Sequence, residues 1–186
     1  MSYKLGYCTI RWKNPDLEPG LEALAAVGWD GWEGRLPLNW MGTPSRIQRI
    51  CDNTGMPLAV LTASGTPDSR DEENIESNKR RMEFAAEVGC DAFMYMNGQK
   101  PAGRAVTDDD VKAAAEGAEM WAEYARQMGL ELSYHIHTNL LVDSIEHWKL
   151  YMANLDKAKL CIDVSHAQLW GYDPVDSLQE FASQLN

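Results

Sequence analysis

The composition of the chain excludes several classes of protein before any motif is considered. Its 186 residues are 45% hydrophobic and 24% charged, and 17 Lys and Arg against 28 Asp and Glu give a formal net charge of −11. This length suits a single domain with a sizeable core. Because phosphate contacts need clustered Lys and Arg, the acidic charge argues against a nucleic-acid partner.

The sequence contains no predicted membrane segment. No uninterrupted apolar run approaches the roughly 18 residues that a bilayer span requires. Residues 1–8 lack the apolar core of a signal peptide. The four cysteines include no Cys-x-x-Cys pair, so free thiols in a reducing cytoplasm are predicted.

One local pattern occurs four times along the chain. An amphipathic stretch ends at a glycine, and an apolar run begins two or three residues later; the glycines are Gly28, Gly55, Gly89 and Gly129. Glycine accepts the left-handed backbone that closes a helix, so each is predicted to end one. The spacing of apolar residues predicts helices over residues 45–51, 77–88 and 110–128, the last with a cap at Thr107.

Six short apolar runs are predicted to be strands, over residues 4–9, 31–33, 58–64, 92–96, 131–135 and 159–163. Near-continuous apolar runs are typical of strands that are covered on both faces, as in a parallel sheet. Strands alternate with helices about every 31 residues. The sequence therefore predicts an α/β protein with a parallel sheet.

Polar and aromatic side chains follow the predicted strands, at the edge where α/β proteins hold their active sites. They include three of the four histidines, and the set is Arg11, Trp12, Glu33, Asn97, His135, His137, Asn139, Asp163 and His166, with Trp170 in a following loop. The sequence therefore predicts a functional site at the carboxyl ends of the strands.

His135, His137 and Asp163 are the candidates for metal chemistry. Two histidines at i and i+2 of an extended segment point to the same side, which suits a divalent metal, or one metal contact and one substrate contact. A hydrogen-bonded histidine pair is the structural alternative. Asp163 closes an apolar strand, where an ionised carboxylate needs a cation or strong donors. Asp163 is therefore interpreted either as a metal ligand or as a cap of the loop that follows it.

The remaining candidates have two interpretations each. His166 either contacts substrate or orders its loop, and Glu33 either serves the substrate site or pairs with Arg35. Trp12 and Trp170 suit the aromatic wall of a sugar site, although single tryptophans more often pack. His147 is interpreted as a surface or packing residue.

Two common catalytic motifs are absent from the sequence. It has no phosphate-binding glycine loop after a strand, so nucleotide chemistry is unsupported. It also lacks the Gly-x-Ser-x-Gly elbow of one class of hydrolases.

Three segments carry a resemblance to a known family. They are Gly28-Trp-Asp-Gly-Trp-Glu33, Leu132-Ser-Tyr-His135-Ile-His137 and Leu160-Cys-Ile-Asp163-Val-Ser-His166, followed by Gly171. In these segments the chain resembles the xylose-isomerase-like barrel superfamily of sugar-phosphate isomerases, epimerases and dehydratases. The likeness extends over essentially the whole chain.

The resemblance implies an eight-stranded TIM-type (β/α) barrel and a divalent metal ion (manganese, cobalt, magnesium or zinc). Asp163 matches a family ligand at the end of strand six, and His135 stands where most members have a Glu ligand that is also a base. His137 and His166 match histidines that contact substrate. The Tyr-His-x-His form is similar to the inosose-dehydratase-like branch.

The resemblance therefore implies a metal-dependent isomerase, epimerase or dehydratase that acts on a keto-sugar or keto-polyol through an enediolate. His135 and Asp163 are the expected metal ligands, with catalytic roles for His137, His166 and Glu33. The expected substrate contacts are Arg11, Trp12, Asn97, Asn139 and Trp170. The expected partner is a small sugar or polyol, with no nucleic acid or membrane, and a homo-oligomer is left open.

Two alternatives to the enzyme remain. One is a non-catalytic sugar-binding barrel that has lost its metal site. The other is an endonuclease-IV-like phosphodiesterase, which the net charge of −11 and the four histidines disfavour.

Length is the main departure from the family. A barrel of eight units needs about 250 residues, and six units are predicted here. We therefore expect residues 1–186 to form one barrel domain that is incomplete at its C-terminus, with residues 178–186 helical and the other metal ligands beyond them.

Overall fold

The computed structural model describes residues 4–63 and 72–186. Within them, six strands form one parallel sheet in which each strand pairs with its neighbours in chain order. The strands are β1 (Gly6–Cys8), β2 (Gly31–Gly34), β3 (Leu58–Thr62), β4 (Ala92–Tyr95), β5 (Glu131–His135) and β6 (Lys159–Cys161). The predicted parallel α/β architecture is confirmed.

Helices connect successive strands, as parallel pairing requires. They are α1 (Leu17–Ala26), α2 (Leu38–Met41), α3 (Pro44–Thr54), α4 (Glu72–Val88), α5 (Asp108–Gln127), α6 (Ile145–Met152), α7 (Val164–Leu169) and α8 (Pro174–Glu180). Short 3-10 turns cover Asn14–Asp16 and Ala182–Gln184. In the described part of the chain, no helix has the length and apolar character needed to cross a membrane.

The predicted helix ends are confirmed at all four glycines, which have φ of 88°, 68°, 88° and 77° in chain order. The predicted cap of α5 is confirmed as well. The Thr107 hydroxyl accepts from the Asp110 N–H at 3.3 Å, and the Asp110 carboxylate accepts from the Thr107 N–H at 2.9 Å. This reciprocal pair satisfies N–H groups that a helix start leaves free.

The core lies between the sheet and its helices. Strand residues such as Trp32, Leu61 and Phe93 are fully buried, and so are Ile47 of α3 and Ala115 of α5. Burial of these apolar surfaces supplies most of the free energy of folding. The sheet edge that bears the polar residues is thereby held on a packed scaffold.

Several predicted strands are shorter in the structure. Strand β6 ends at Cys161 rather than at residue 163, because Asp163 turns to cap α7. Ser64, the predicted end of the third strand, lies outside the described residues. The predicted C-terminal helix is partly wrong, since α8 ends at Glu180 and Leu185 is extended and bridged in parallel to Leu160.

The loop before β6 is tied to α5 by one carboxylate. Glu119 accepts hydrogen bonds of 3.0–3.1 Å from the backbone N–H groups of Asp156, Lys157 and Ala158. We expect Glu119→Ala to lower the free energy of unfolding by about 1–2 kcal/mol, since charge-assisted bonds are lost and their donors left unpaired. Urea unfolding measures this loss.

The control for this prediction is the exposed Glu116 of the same helix, where Glu116→Ala is expected to change stability by less than about 0.5 kcal/mol. Equal losses in the two variants would show that the Glu119 hydrogen bonds are not the cause.

Candidate functional site

Strands β5 and β6 bring the predicted metal ligands to one edge of the sheet. His135 is the last residue of β5 and pairs in register with Cys161, the last residue of β6. Asp163 follows two residues later. Adjacent parallel strands therefore place an imidazole and a carboxylate side by side, as predicted for the carboxyl ends of the strands.

Three histidines and one aspartate converge there. The ring centroid of His166 lies 4.2 Å from that of His137 and 6.0 Å from that of His135, and the His135 and His137 rings are 6.1 Å apart. Ligand atoms of His135, Asp163 and His166 all lie within 4.8 Å of one another. One cation could contact all three groups.

Asp163 serves as the N-cap of α7. Its Oδ1 accepts hydrogen bonds from the Ser165 backbone N–H at 2.9 Å and from the Ser165 hydroxyl at 2.5 Å. Its Oδ2 faces His166 Nε2 at 3.8 Å. The two interpretations of Asp163 are thus compatible, because the cap uses one oxygen and leaves the other for a ligand.

The charge state of Asp163 follows from these contacts. Burial opposes ionisation, but hydrogen bonds from Ser165 and the nearby imidazoles outweigh it, so the pKa of the carboxyl lies below its usual value. Asp163 is therefore ionised at neutral pH.

His135 is neutral at the same pH. Its burial at the end of β5 lowers its pKa to about 4, and the Asp163 charge offsets only part of this effect. A neutral imidazole has a lone pair that a metal can use.

His166 reaches the site through the first turn of α7. It is the third helical residue after the cap, and positions three apart share one side of a helix, so its ring faces Asp163. Burial and then the neighbouring His137 lower its pKa below the usual value.

Thr138 contacts the rings of both His137 and His166. Its backbone C=O lies 2.7 Å from His137 Nδ1, and its backbone N–H donates to His166 Nδ1 at 3.4 Å. The Thr138 hydroxyl is a further 3.2 Å contact of His166 Nδ1. The site is therefore crossed by one peptide segment that fixes the orientation of both rings.

Asp143 holds the rim of the site together. Its Oδ1 accepts from the Asn139 backbone N–H at 2.8 Å and from Trp170 Nε1 at 3.1 Å, and its Oδ2 pairs with Lys100. Asn139 has a φ of 65°, which is uncommon for a residue other than glycine. Asp143 thus links the loops that follow β4, β5 and α7.

Glu33 lies in a hydrogen-bonded cluster at the end of β2. Its Oε1 pairs with Arg35 Nε and accepts from the Thr62 hydroxyl at 2.9 Å. The salt bridge that the sequence offered as one interpretation of Glu33 is thus present. A catalytic role for Glu33 stays a prediction.

The other predicted substrate contacts differ in their surroundings. Asn97 is 2% exposed, and its Nδ2 has no hydrogen-bond partner among the described residues. Trp12 packs on Tyr7, with ring centroids 5.2 Å apart, and against the backbone of Gly20. Arg11 is exposed. Asn97 offers the free donor expected of a site residue, whereas the packing of Trp12 favours a structural role.

A cavity of about 560 Å³ lies at the opposite end of the strands. It is lined by Glu131 and Lys159, where β5 and β6 begin, together with Asp91, Arg126 and Asp156. It is therefore remote from His135 and Asp163, and the chemistry of the side chains identifies the site better than cavity size.

Comparison with known proteins agrees with this geometry. Residues 21–185 match the family model described as xylose isomerase-like TIM barrel. Among curated proteins, the inosose dehydratase of Geobacillus kaustophilus (strain HTA426) is 24% identical over an alignment of 210 residues, gaps included. The alignment covers 98% of this chain and 67% of that protein.

Solved structures share the fold at low sequence identity. A probable 3-DHS dehydratase, AsbF, from Bacillus anthracis has a TM-score of 0.81 and 19% identity, over 99% of this chain and 71% of that one. A sugar phosphate isomerase/epimerase from Parabacteroides distasonis ATCC 8503 has a TM-score of 0.77 and 20% identity, over 100% and 73%.

Proposed function

The chain belongs to the xylose isomerase-like TIM barrel family, and we propose on that basis that it is a divalent-metal-dependent isomerase, epimerase or dehydratase of a keto-sugar or keto-polyol. The observation that carries the proposal is the convergence of His135, Asp163 and His166 within 4.8 Å at the carboxyl ends of β5 and β6.

The donor set at this edge fits a divalent cation. Asp163 supplies a carboxylate whose Oδ2 is left free by the helix cap, and His135 supplies a neutral imidazole. These two residues would hold the metal, and a cation bound there would act as a Lewis acid that stabilises negative charge on a substrate oxygen. That further strand ends complete the ligand set stays a prediction.

The other residues of the edge suit a polyhydroxylated substrate. His137 and His166 lie beside the proposed ligands and can exchange protons with substrate carbon and oxygen atoms. The buried Asn97 can donate a hydrogen bond to a hydroxyl, and Trp170 supplies an aromatic surface at the rim.

The proposal is tested by incubating the purified chain with manganese, cobalt, magnesium or zinc and a panel of keto-hexoses and keto-inositols. We expect metal-dependent conversion of at least one compound, followed by NMR of the carbon-bound protons. Absence of turnover together with absence of metal binding would favour the non-catalytic barrel. Salt-dependent binding of duplex DNA would instead favour the phosphodiesterase.

A further inference from the structure

Arg81 of α4 is a buried cation that has no part in the proposed reaction. It is 5% exposed, and among the described residues no carboxylate lies within salt-bridge distance of it. Burial alone lowers the pKa of its guanidinium to about 10, so the group stays charged at neutral pH. A buried charge without a partner costs free energy, and a bound anion offsets that cost. Arg81 is therefore a candidate for binding an anion.

Two backbone carbonyl groups fix the orientation of the Arg81 guanidinium. Its Nε donates to the Thr62 C=O at 2.8 Å, and its Nη1 donates to the Leu36 C=O at 3.2 Å. These carbonyl groups lie where the chain leaves β3 and β2, and they carry no formal charge. A guanidinium has five N–H groups, so three of them have no hydrogen-bond partner among the described residues. Arg81 is thus held in place with donors left for a ligand.

Arg81 borders a cavity of about 360 Å³ between α2 and α4, which we call the Arg81 cavity. The exposed Arg80 also borders it; its Nε donates to the Glu76 C=O at 3.3 Å, and it forms no salt bridge within the described part of the chain. Ser77 adds a hydroxyl, and no described carboxylate lines the space. The complete lining is Pro37, Leu38, Ser77, Arg80 and Arg81.

We propose that the Arg81 cavity binds a phosphate group, either as free phosphate or as part of a small phosphate ester. Two guanidinium groups match the charge of a phosphate dianion, and each can donate paired N–H groups to two of its oxygens. A carboxylate has one charge and two oxygens, so it would leave one of the two cations without a partner. The volume of about 360 Å³ is within the range of small-molecule sites and leaves room for the carbon atoms of an ester.

The Arg81 cavity is separate from the proposed metal site. It is formed by α2 and α4, beside the ends of β2 and β3, whereas His135 and Asp163 follow β5 and β6. The inference therefore goes beyond the proposed function and does not depend on it. Its test measures binding and needs no substrate turnover.

The ligand class is tested by isothermal calorimetry of the metal-free full chain at about pH 8, where phosphate is a dianion. Inorganic phosphate, glycerol 3-phosphate and acetate are compared at constant ionic strength. We expect saturable binding of one phosphate compound per chain at millimolar concentration. Acetate should bind at least about tenfold more weakly, because it makes fewer charge-assisted hydrogen bonds.

The two phosphate compounds distinguish the sources of the phosphate group. Tighter binding of glycerol 3-phosphate would identify an ester as the ligand, and equal or tighter binding of inorganic phosphate would identify free phosphate. Both outcomes support the proposal. Absence of saturable binding by either compound, or acetate binding as tight as theirs, would overturn it.

Three Arg→Gln variants locate the site. Arg80→Gln should weaken phosphate binding by at least about tenfold without changing the urea midpoint, since Arg80 is exposed. Arg81→Gln should abolish detectable binding. The control is Arg49→Gln, which removes the same charge from an exposed position on α3 and should leave phosphate binding unchanged.

The decisive comparison is between Arg80→Gln and Arg49→Gln, because Arg81→Gln also loses hydrogen bonds to two backbone carbonyl groups and may fail to fold for that reason. Unchanged phosphate binding by Arg80→Gln would show that phosphate binds elsewhere on the chain. Equal weakening in Arg80→Gln and Arg49→Gln would show attraction to overall charge. Either result would overturn the proposal.

Discussion

Asp163→Asn is expected to lower the affinity of the chain for the proposed divalent cation by at least about 100-fold, while folding stability changes little. Replacing the carboxylate removes the charge that faces the site, and even residues that only support a metal ligand are worth 10–100-fold in affinity. The amide oxygen of Asn still caps α7, since Asn and Asp are about equally good at this position. Isothermal calorimetry and urea unfolding measure the two effects separately.

A matched pair of alanine variants controls for the loss of the cap. Asp173 caps α8 as Asp163 caps α7, through the backbone N–H groups of Val175 and Asp176. Both Asp163→Ala and Asp173→Ala should cost about 1 kcal/mol of stability, and only the former should reduce metal affinity. Tight metal binding by Asp163→Asn would remove Asp163 from the proposed ligand set.

Asp143→Ala is expected to have the second large effect, because it releases three loops at once. The backbone N–H of Asn139 and the indole N–H of Trp170 would each lose their hydrogen-bond acceptor, and Lys100 would lose its ion pair. We expect a loss of about 1–3 kcal/mol of stability, and a fall in kcat/KM of at least about tenfold because the rim of the site is no longer fixed. Lys100→Ala, which removes one of the three contacts, should lose less on both counts.

Asp143 also predicts a direction of pH dependence. Its burial opposes ionisation, but hydrogen bonds from Lys100, Asn139 and Trp170 outweigh it and lower the pKa of the carboxyl in the folded chain. The stabilisation is therefore fully present above the unfolded-state pKa of about 3.9, and is lost as the pH falls through the lower folded-state value. Between pH of about 4 and 2, Asp143→Asn should lose stability less steeply than the unmodified chain, measured by urea unfolding.

Much of the fold could be predicted because its signals are local. Four of the helix ends depend on a glycine, such as Gly55 or Gly129, and each buried strand depends on a short apolar run. The convergence of His135 and Asp163 followed from the same information. Consecutive strands of a parallel sheet become neighbours, so residues at their carboxyl ends meet.

The contacts that refine the site could not be predicted, because they depend on backbone directions after the strands end. The alternation of side chains along a strand places His135 on one side of β5. It does not predict the turn at Thr138, which brings the Thr138 C=O to the ring of His137 and the Thr138 N–H to the ring of His166. The sequence around Asp143 has no pattern that distinguishes it from any other aspartate in a loop. Trp12 shares its position after a strand with the site residues, yet the absence of a side chain at Gly20 lets it pack on α1 instead.

The position of Asp163 at the start of α7 couples occupancy of the site to the order of that helix. The six residues of α7 bury only Ala167, and Leu169 is 73% exposed, so local opening of this segment should cost little free energy. A ligand bound to Asp163 Oδ2 holds Asp163 in place, and Oδ1 of the same residue caps the first turn of α7. A ligand that binds only when this turn is formed stabilises the folded state of α7. Amide hydrogen exchange across α7 should therefore slow as a ligand occupies the site, so the exchange rate of this short helix measures the occupancy.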